Sequence, residues 1–181
     1  MKNLIISITL ILVVLGTSSY VFGLNNQRTN GVSHINQLPK EAVSPKEIEG
    51  LQLLREEEKL ARDVYSALYD KWNLRIFSNI ARSEQRHMSR IKDLLDKYDL
   101  KDPVAGLKSG EFNNPEFTQL YNELVSKGSE SLVSALKVGA TIEDLDIKDL
   151  NEWIALSDNQ DIRLVYGNLK RGSENHIRSF N

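Results

Sequence analysis

Acidic side chains fall inside the apolar stripes of the helical segments that this sequence predicts. In the first such segment, Glu58 lies four residues after Leu54 and three before Ala61. Residues three or four apart share one face of an α-helix, so Glu58 faces the same way as these apolar side chains. A carboxylate therefore points into the core that this segment would form.

The later segments repeat the pattern with further carboxylates and with imidazoles. Each of these residues lies three, four or seven positions from an apolar residue of its own stripe. They are Glu84 and His87 in the second long segment, Glu143 and Asp146 in the third, and His176 in the fourth. Any one of them alone is more typical of a solvated helix face. The joint pattern, at a similar depth in one helix after another, indicates a metal site.

The four carboxylates among these residues need a positive partner if they are buried close together. Without one, desolvation and repulsion would exceed the net stability of a domain, about 5 to 15 kcal/mol. The stripes hold no matching number of Lys or Arg residues, although Arg62, four residues after Glu58, can partner one carboxylate. A pair of divalent or trivalent metal ions removes the repulsion, and glutamates with Glu-x-x-His are the ligands of di-iron and di-manganese bundles. Such ligands suit iron or manganese, with zinc as an alternative.

Helical periodicity divides most of the chain into helices. The run Ser44–Glu47 combines an N-cap serine, a proline at the first helical position and a capping-box glutamate. The first helix therefore begins there, and it ends near residues 70–73. A second helix with a 3.6-residue apolar period follows at once and reaches Tyr98, so the two form a hairpin.

The sequence pattern of the second half of the chain predicts a crossover and three more helices. Residues 101–115 are rich in Pro, Gly and Asn and suit the long connection of a bundle. A short helix follows at 115–127, and we expect Ser129 and Asp158 to cap the last two long helices. Because no segment alternates with a period of two, we expect an all-α fold. It would be a four-helix bundle with a long crossover that contains a short extra helix.

Composition excludes several classes of site and partner. The chain has no cysteine, which excludes disulfides, thiolate zinc sites and iron-sulfur clusters. The net charge is -2, from 23 basic and 25 acidic residues spread along the chain, which offers no electrostatic footprint for nucleic acid or anionic lipid. Any bound metal must therefore use oxygen and imidazole ligands.

The first 23 residues have the pattern of a targeting segment. A short basic start, Met1-Lys2, precedes an almost unbroken apolar run over residues 4–15, and residues 21–23 suit a signal peptidase. We therefore expect a secretory signal peptide over residues 1–23. The alternative is an uncleaved membrane anchor, because residues 5–22 are just long enough to span a bilayer.

Two further regions follow this segment. Residues 24–43 contain Asn, Gln, Gly and Ser without periodicity, so we expect a flexible tether. Residues 44–181 are expected to form a single domain, which a chain of this length and apolar content supports. With or without cleavage of the N-terminal segment, we expect this domain to be exported, to the cell envelope or the extracellular space.

Several stretches of the sequence resemble a known group of proteins. Residues 58–65 (Glu-Lys-Leu-Ala-Arg-Asp-Val-Tyr) and 83–87 (Ser-Glu-Gln-Arg-His) resemble the first two helices of rubrerythrin-type ferritin-like proteins. A closer similarity is to domain of unknown function 2202, an uncharacterised ferritin-like family, and it is carried by residues 56–65, 138–147 and 172–176 together. The resemblance covers about residues 48–180 and implies a ferritin-like bundle with a di-metal centre.

One position departs from the rubrerythrin-type pattern. That pattern places a glutamate three residues before the histidine of the fourth helix, whereas this chain has Ser173 three residues before His176. Glu174 is one residue away, and a one-residue step turns a helical side chain by about 100°. Glu174 is therefore outside the expected ligand set unless the helix bulges. We expect Asp146 to replace the missing carboxylate.

The apolar stripes and the resemblance together define the expected site. The expected ligands are Glu58, Glu84, His87, Glu143, Asp146 and His176. Three more residues are expected beside them: Arg62, Tyr65 and Ser173. Of these, Arg62 and Tyr65 are expected to orient ligands. The alternative for Tyr65 is an ordinary core aromatic residue.

The resemblance implies chemistry with small oxidants. Two iron ions, the expected cofactor, would react with dioxygen or hydrogen peroxide, so we expect oxidation of ferrous iron or reduction of peroxide. The alternative is a non-catalytic secreted bundle whose ions only hold the helices together or serve a binding module. A third interpretation has no metal and pairs the carboxylates with the histidines. Whether the protein is an enzyme, and whether it is a monomer or a homodimer, are left open.

Overall fold

Five α-helices account for most of the chain that the structure describes. A computed structural model describes residue 35 and residues 37–180. The helices are α1 (Pro45–Trp72), α2 (Arg75–Lys97), α3 (Pro115–Gly128), α4 (Leu132–Leu156) and α5 (Gln160–Ile177). No strand occurs within these described residues, so the prediction of an all-α fold is confirmed.

The helices pack as two hairpins with one short helix beside them. α1 packs against α2 and α4 packs against α5, while contacts between α1 and α4 and between α2 and α5 join the two pairs. α3 packs against α1 and α4. This arrangement brings together one face each of α1, α2, α4 and α5.

The predicted capping box fixes the start of α1. The Ser44 hydroxyl accepts a hydrogen bond from the Glu47 amide, and Glu47 Oε2 accepts one from the Ser44 amide. The other oxygen of Glu47 accepts hydrogen bonds from the Ser157 hydroxyl at 2.7 Å and from the Asn159 amide at 3.2 Å. One buried carboxylate therefore joins the start of α1 to the turn between α4 and α5.

Two of the predicted helix caps are wrong. Ser131 caps α4 instead of Ser129, because α3 continues further and the Ser129 amide closes its last turn. α5 begins after Asn159 instead of Asp158, and the Asn159 side chain does not cap it. That side chain instead donates a hydrogen bond to Glu47, so its position is set by the contact with α1.

Two apolar clusters fill the interior on either side of a polar layer. Members of the first cluster are Leu54, Ile91 and Leu150, and members of the second are Ala61, Ala81 and Ile142. On α1, α2 and α4, the residues between these positions include the carboxylates and the histidine of the predicted site. The polar residues therefore interrupt the apolar core instead of lying at its edge.

The crossover between α2 and α3, residues 98–114, is bound to α1 along its length. Buried polar residues of α1 make these contacts. Arg55 pairs with Asp102 at 2.9 Å, Lys59 Nζ donates to the Lys108 carbonyl at 2.7 Å, Asp63 accepts from the Gly110 amide at 3.0 Å, and Glu56 accepts from the Asn114 amide at 3.0 Å. These charged residues of α1 belong to a run that is typical of a solvent-exposed helix face, but they lie inside the molecule.

The described part of the N-terminal region contacts the helices. Ile35 is 4% exposed and belongs to the first apolar cluster, and Lys97 Nζ donates to the carbonyls of Ile35 and Leu38 at 3.0 Å. The end of the tether expected at 24–43 is therefore packed. Residues 24–34 and 36 of it, and the expected signal peptide, lie outside the described residues. None of the described helices is long and apolar enough to cross a membrane.

Candidate metal centre

Two groups of carboxylates and histidines meet between the apolar clusters. In the first triad, Glu58 of α1 lies beside Glu84 and His87 of α2. In the second triad, the same Glu84 lies beside Glu143 of α4 and His176 of α5. Within each triad the candidate ligand atoms lie within 4.8 Å of one another. Five of the predicted site residues, from α1, α2, α4 and α5, thus form two triads that share Glu84.

The two oxygens of Glu84 face different histidines. His87 Nδ1 lies 2.7 Å from Glu84 Oε2, and His176 Nδ1 lies 2.9 Å from Glu84 Oε1. The two imidazole rings stack with their centroids 5.6 Å apart. Glu84 therefore lies where a carboxylate that bridges two cations would lie, with one cation beside each histidine.

Each histidine makes its hydrogen bond with an outer glutamate. His87 Nδ1 is 3.2 Å from Glu58 Oε2, and His176 Nδ1 is 3.3 Å from Glu143 Oε2. Glu84 is fully buried, and neither of its oxygens has a hydrogen bond of normal geometry. Buried oxygens without directed donors are typical of groups that bind an ion or ordered water. The donor set, which consists of carboxylate oxygens and imidazole nitrogens around this buried carboxylate, therefore fits metal ions.

Burial and these contacts set the electrostatics of the centre. Burial raises the pKa of Glu58 to about 8, although His87 opposes the shift. Burial would also raise the pKa of Glu84, but the contacts with His176 and His87 outweigh it and lower this pKa to about 2. Burial lowers the pKa of His176, but the contacts with Glu143 and Glu84 raise it to about 9. Bound cations would displace the protons that Glu58 and His176 carry near neutral pH, so cation affinity is expected to rise with pH.

Gly172 of α5, which has no side chain, makes room for the ring of His87. Glu84 and His87 are three residues apart and share one face of α2. A Cβ built at Gly172 would lie 2.6 Å from His87 Cε1 and closer still to Nε2. His87 therefore turns Nε2 toward α5 and Nδ1 toward the carboxylates. Gly172 is absent from the predicted site; a glycine inside a helical segment, next to Ser173, was the available signal.

Tyr65 contacts the outer glutamate of the second triad. Its hydroxyl donates a hydrogen bond to Glu143 Oε1 at 2.6 Å and lies 3.0 Å from the carbonyl oxygen of Gly139. The ring is fully buried and stacks with Phe77 and Phe180. Burial and the neighbouring Glu143 raise the pKa of Tyr65 well above its usual value, so the hydroxyl stays protonated and remains a donor.

Three other residues considered from the sequence lie outside the triads. Arg62, expected to orient a ligand, instead donates to Asp63. Ser173 is fully buried, and its hydroxyl donates to the backbone of α5. Glu174 is partly exposed and lies 3.7 Å from Lys170 on the same helix, which agrees with its exclusion from the ligand set.

Asp146 lies near the triads but belongs to neither. Its side chain is buried, and Oδ2 has no hydrogen-bond partner. Burial and the charges of Glu58 and Glu143 raise the pKa of Asp146 well above its usual range. The structure thus places this carboxylate beside the centre with one unpaired oxygen, but does not bring it into either group of ligand atoms.

Comparisons with known proteins assign the chain to a family. The family model described as Uncharacterized protein domain (DUF2202) matches residues 47–181. The chain is 58% identical over 149 residues to Uncharacterized protein MJ0754 of Methanocaldococcus jannaschii, a match that covers 82% of this chain and 80% of that protein. It is also similar to the crystal structure of hypothetical protein MJ0754 from Methanococcus jannaschii, with a TM-score of 0.78 and 60% sequence identity, over 80% of this chain and 82% of that one. The chain therefore belongs to the DUF2202 family, as its sequence motifs predicted.

Proposed function

We propose that this chain is a ferritin-like di-metal protein. In this proposal α1, α2, α4 and α5 form a four-helix bundle, and each triad holds one metal ion. The observation that carries the proposal is Glu84, whose two oxygens lie 2.7 and 2.9 Å from the nitrogens of different histidines. An ion beside each histidine would contact a different oxygen of this one carboxylate, which is the geometry of a bridge.

The proposed ligands are oxygen and imidazole nitrogen atoms alone. Glu58, Glu84 and His87 Nδ1 would hold one ion, and Glu84, Glu143 and His176 Nδ1 would hold the other. The unpaired oxygen of Asp146 would be available as a further ligand. This donor set suits iron or manganese, with zinc as an alternative, and we propose iron.

The chain's own residues define the surroundings of the proposed ions. When bound, a pair of iron ions supplies the electrons for reduction of dioxygen or peroxide. Tyr65 holds Glu143 by a hydrogen bond of 2.6 Å and so fixes the orientation of that ligand. The apolar clusters on either side exclude water from the polar layer. We therefore propose oxidation of ferrous iron or reduction of peroxide as the activity.

The burial of the ligands supports a second candidate function. The side chains of His87 and His176 are 11% and 12% exposed, and those of Glu58 and Glu84 are 2% and 0% exposed. Ions closed off in this way would hold the four helices together without turnover, as structural metal sites do. An open coordination position separates the two candidates, because it admits a small oxidant and a closed site does not.

Export from the cytoplasm is a further part of the proposal. It rests on the basic start and the apolar run within residues 1–23. N-terminal sequencing of the protein recovered from the envelope and the culture medium tests it. A mature chain that begins near residue 24 supports cleavage, an intact chain in the membrane fraction supports the anchor, and an intact chain in the cytoplasm contradicts export.

Metal content tests the di-metal centre. The protein is purified without a metal-binding tag, reconstituted with ferrous iron under anaerobic conditions and analysed by plasma mass spectrometry. We expect two ions per chain, and we expect their loss when Glu84 and His87 are both replaced by alanine. The matched control replaces their exposed neighbours Gln85 and Arg86 and keeps both ions. A wild-type chain without stoichiometric metal contradicts the proposal.

The reaction of the loaded protein separates the two candidate functions. Consumption of dioxygen or peroxide, followed with an electrode, is expected if a coordination position is open. Two tightly bound ions with no consumption of either oxidant would favour the structural candidate.

A further inference from the structure

Acidic side chains continue from the proposed centre toward the surface between α1 and α4. On α4, Glu143, Asp146 and Asp149 follow one another at intervals of three residues, along one side of the helix. Glu143 is fully buried, Asp146 is 8% exposed, and the side chain of Asp149 is 15% exposed. The three carboxylates thus lead stepwise from the interior toward solvent.

Glu57 of α1 lies beside this row of carboxylates. α1 and α4 run antiparallel, because Gly50 lies against Trp153 near one end and the Tyr65 hydroxyl donates to the Gly139 carbonyl near the other. Glu57 lies midway between Gly50 and Tyr65, and so it lies alongside the part of α4 that carries this row. Glu57 Oε2 is inaccessible to solvent and has no hydrogen-bond partner. Glu57 therefore occupies the interval between Asp149 near the surface and Glu58 at the centre.

Three buried polar atoms around this row lack partners, and they come from three different helices. They are Glu57 Oε2, Asp146 Oδ2 and Tyr166 Oη. Asp146 and Tyr166 are each more than nine-tenths buried. Buried polar atoms without protein partners indicate ordered water or an ion that satisfies them. The seam between α1 and α4 is therefore a polar part of the interior beside the centre.

Charge favours this side of the molecule for the approach of a cation. The helices that carry the two histidines also carry the basic residues Arg86, on α2, and Arg171, on α5. The positive charges of these two residues repel a cation, whereas the seam presents Asp149 at its outer end. Lys148 lies 3.9 Å from Asp149 and is the counter-charge that an arriving cation would displace.

We propose that Asp149, Glu57 and Asp146 form the route by which divalent transition-metal cations reach the centre. A hydrated cation first binds beside Asp149, passes to Glu57 and Asp146, and then reaches the triads. At each step it exchanges water for a carboxylate oxygen. The route rests on the proposed metal centre, because it leads to the two triads.

Loading kinetics test this route. The full chain is freed of metal with a chelator and mixed with cobalt(II), and the visible absorption of protein-bound cobalt is followed by stopped flow. We expect Asp149→Asn and Glu57→Gln to load about tenfold more slowly than the wild type. Asp149→Asn loses a charge that attracts the ion, and Glu57→Gln loses a carboxyl group that can give up its proton and bind the ion. Both variants are expected to bind two cobalt ions at equilibrium. The control Asp144→Asn, at an exposed position of the same helix, is expected to load at the wild-type rate.

The outcomes separate the route from the centre. If Asp149→Asn loads as fast as the wild type and still binds two ions, the route is overturned and the centre stands. If the wild type binds no cobalt, both are overturned. If Glu57→Gln does not fold, Asp149→Asn decides alone, because the substitution keeps the shape of the side chain and that side chain is 15% exposed.

Discussion

Replacing Gly172 with alanine tests whether the backbone of α5 positions His87. The added methyl carbon would lie 2.6 Å from His87 Cε1, where ordinary van der Waals contacts are 3.4 to 4 Å. The imidazole must therefore move by about 1 Å or rotate away from α5. Its Nδ1 lies 2.7 Å from Glu84 and 3.2 Å from Glu58, so a shift of this size removes it from the first triad.

Two opposing effects set the change in stability of this variant. Alanine in a helix interior is favoured over glycine by about 0.5 to 1 kcal/mol. An overpacked core position costs about 1 to 3 kcal/mol. We therefore expect Gly172→Ala to lower the free energy of unfolding by up to about 2.5 kcal/mol. We also expect binding at the first triad to weaken about 10- to 100-fold, because its nitrogen ligand is displaced.

Gly167→Ala on the same helix is the matched control. A Cβ at Gly167 would meet the Arg171 guanidinium at 3.9 Å, so this variant gains helix propensity without a clash. We expect it to be about 0.5 to 1 kcal/mol more stable than the wild type and to keep both ions. Urea unfolding of the metal-free protein and titration with metal measure the two effects. If Gly172→Ala binds two ions with the affinity of Gly167→Ala, the inferred positioning of His87 is refuted.

Two further predictions concern Tyr65 and Glu47. Tyr65→Phe removes the hydrogen bond to Glu143 and leaves a buried oxygen of Glu143 unpaired. We therefore expect the free energy of unfolding in urea to fall by about 1 to 3 kcal/mol and the second ion to bind more weakly. If neither value changes, Tyr65 is an ordinary core residue. Burial would raise the pKa of Glu47, but hydrogen bonds from Ser44, Ser157 and Asn159 lower it from 4.5 to about 2. Its charged form therefore stabilises the fold above pH 4.5, by up to about 3 kcal/mol, and this contribution is lost as the pH falls from 4.5 to 2. The stability difference between the wild type and Glu47→Gln should be widest near pH 7 and close toward pH 2, and a difference independent of pH contradicts the reasoning.

Most residues of the candidate metal centre could be predicted from the helical period of the sequence. Glu58, Glu84 and Glu143 could be assigned because a side chain three, four or seven residues from apolar neighbours shares their face, whichever helix packs against it. His87 and His176 follow from the same rule. These five assignments needed no knowledge of tertiary contacts, and the structure brings all five side chains together.

Features that depend on contacts between neighbouring side chains could not be predicted in this way. Gly172 matters because the ring of His87 lies against it, and nothing in the sequence of α5 indicates that ring. Arg62 was expected to orient a ligand, but its guanidinium group donates to the buried carboxylate of Asp63 instead. Lys59 belongs to a run of charges typical of a solvated face, yet its ammonium group is buried against Asp63.

The contacts of the crossover limit how its length can change. Surface loops usually accept insertions and deletions, because few of their backbone groups have partners in the folded protein. A residue added or removed between Asp102 and Asn114 would move the Lys108 carbonyl and the Gly110 amide away from their partners on α1. The buried ammonium group of Lys59 would then lose an acceptor that water cannot replace. This irregular segment is therefore as constrained in length as a helix, and inserted sequences or fused tags belong elsewhere on the chain.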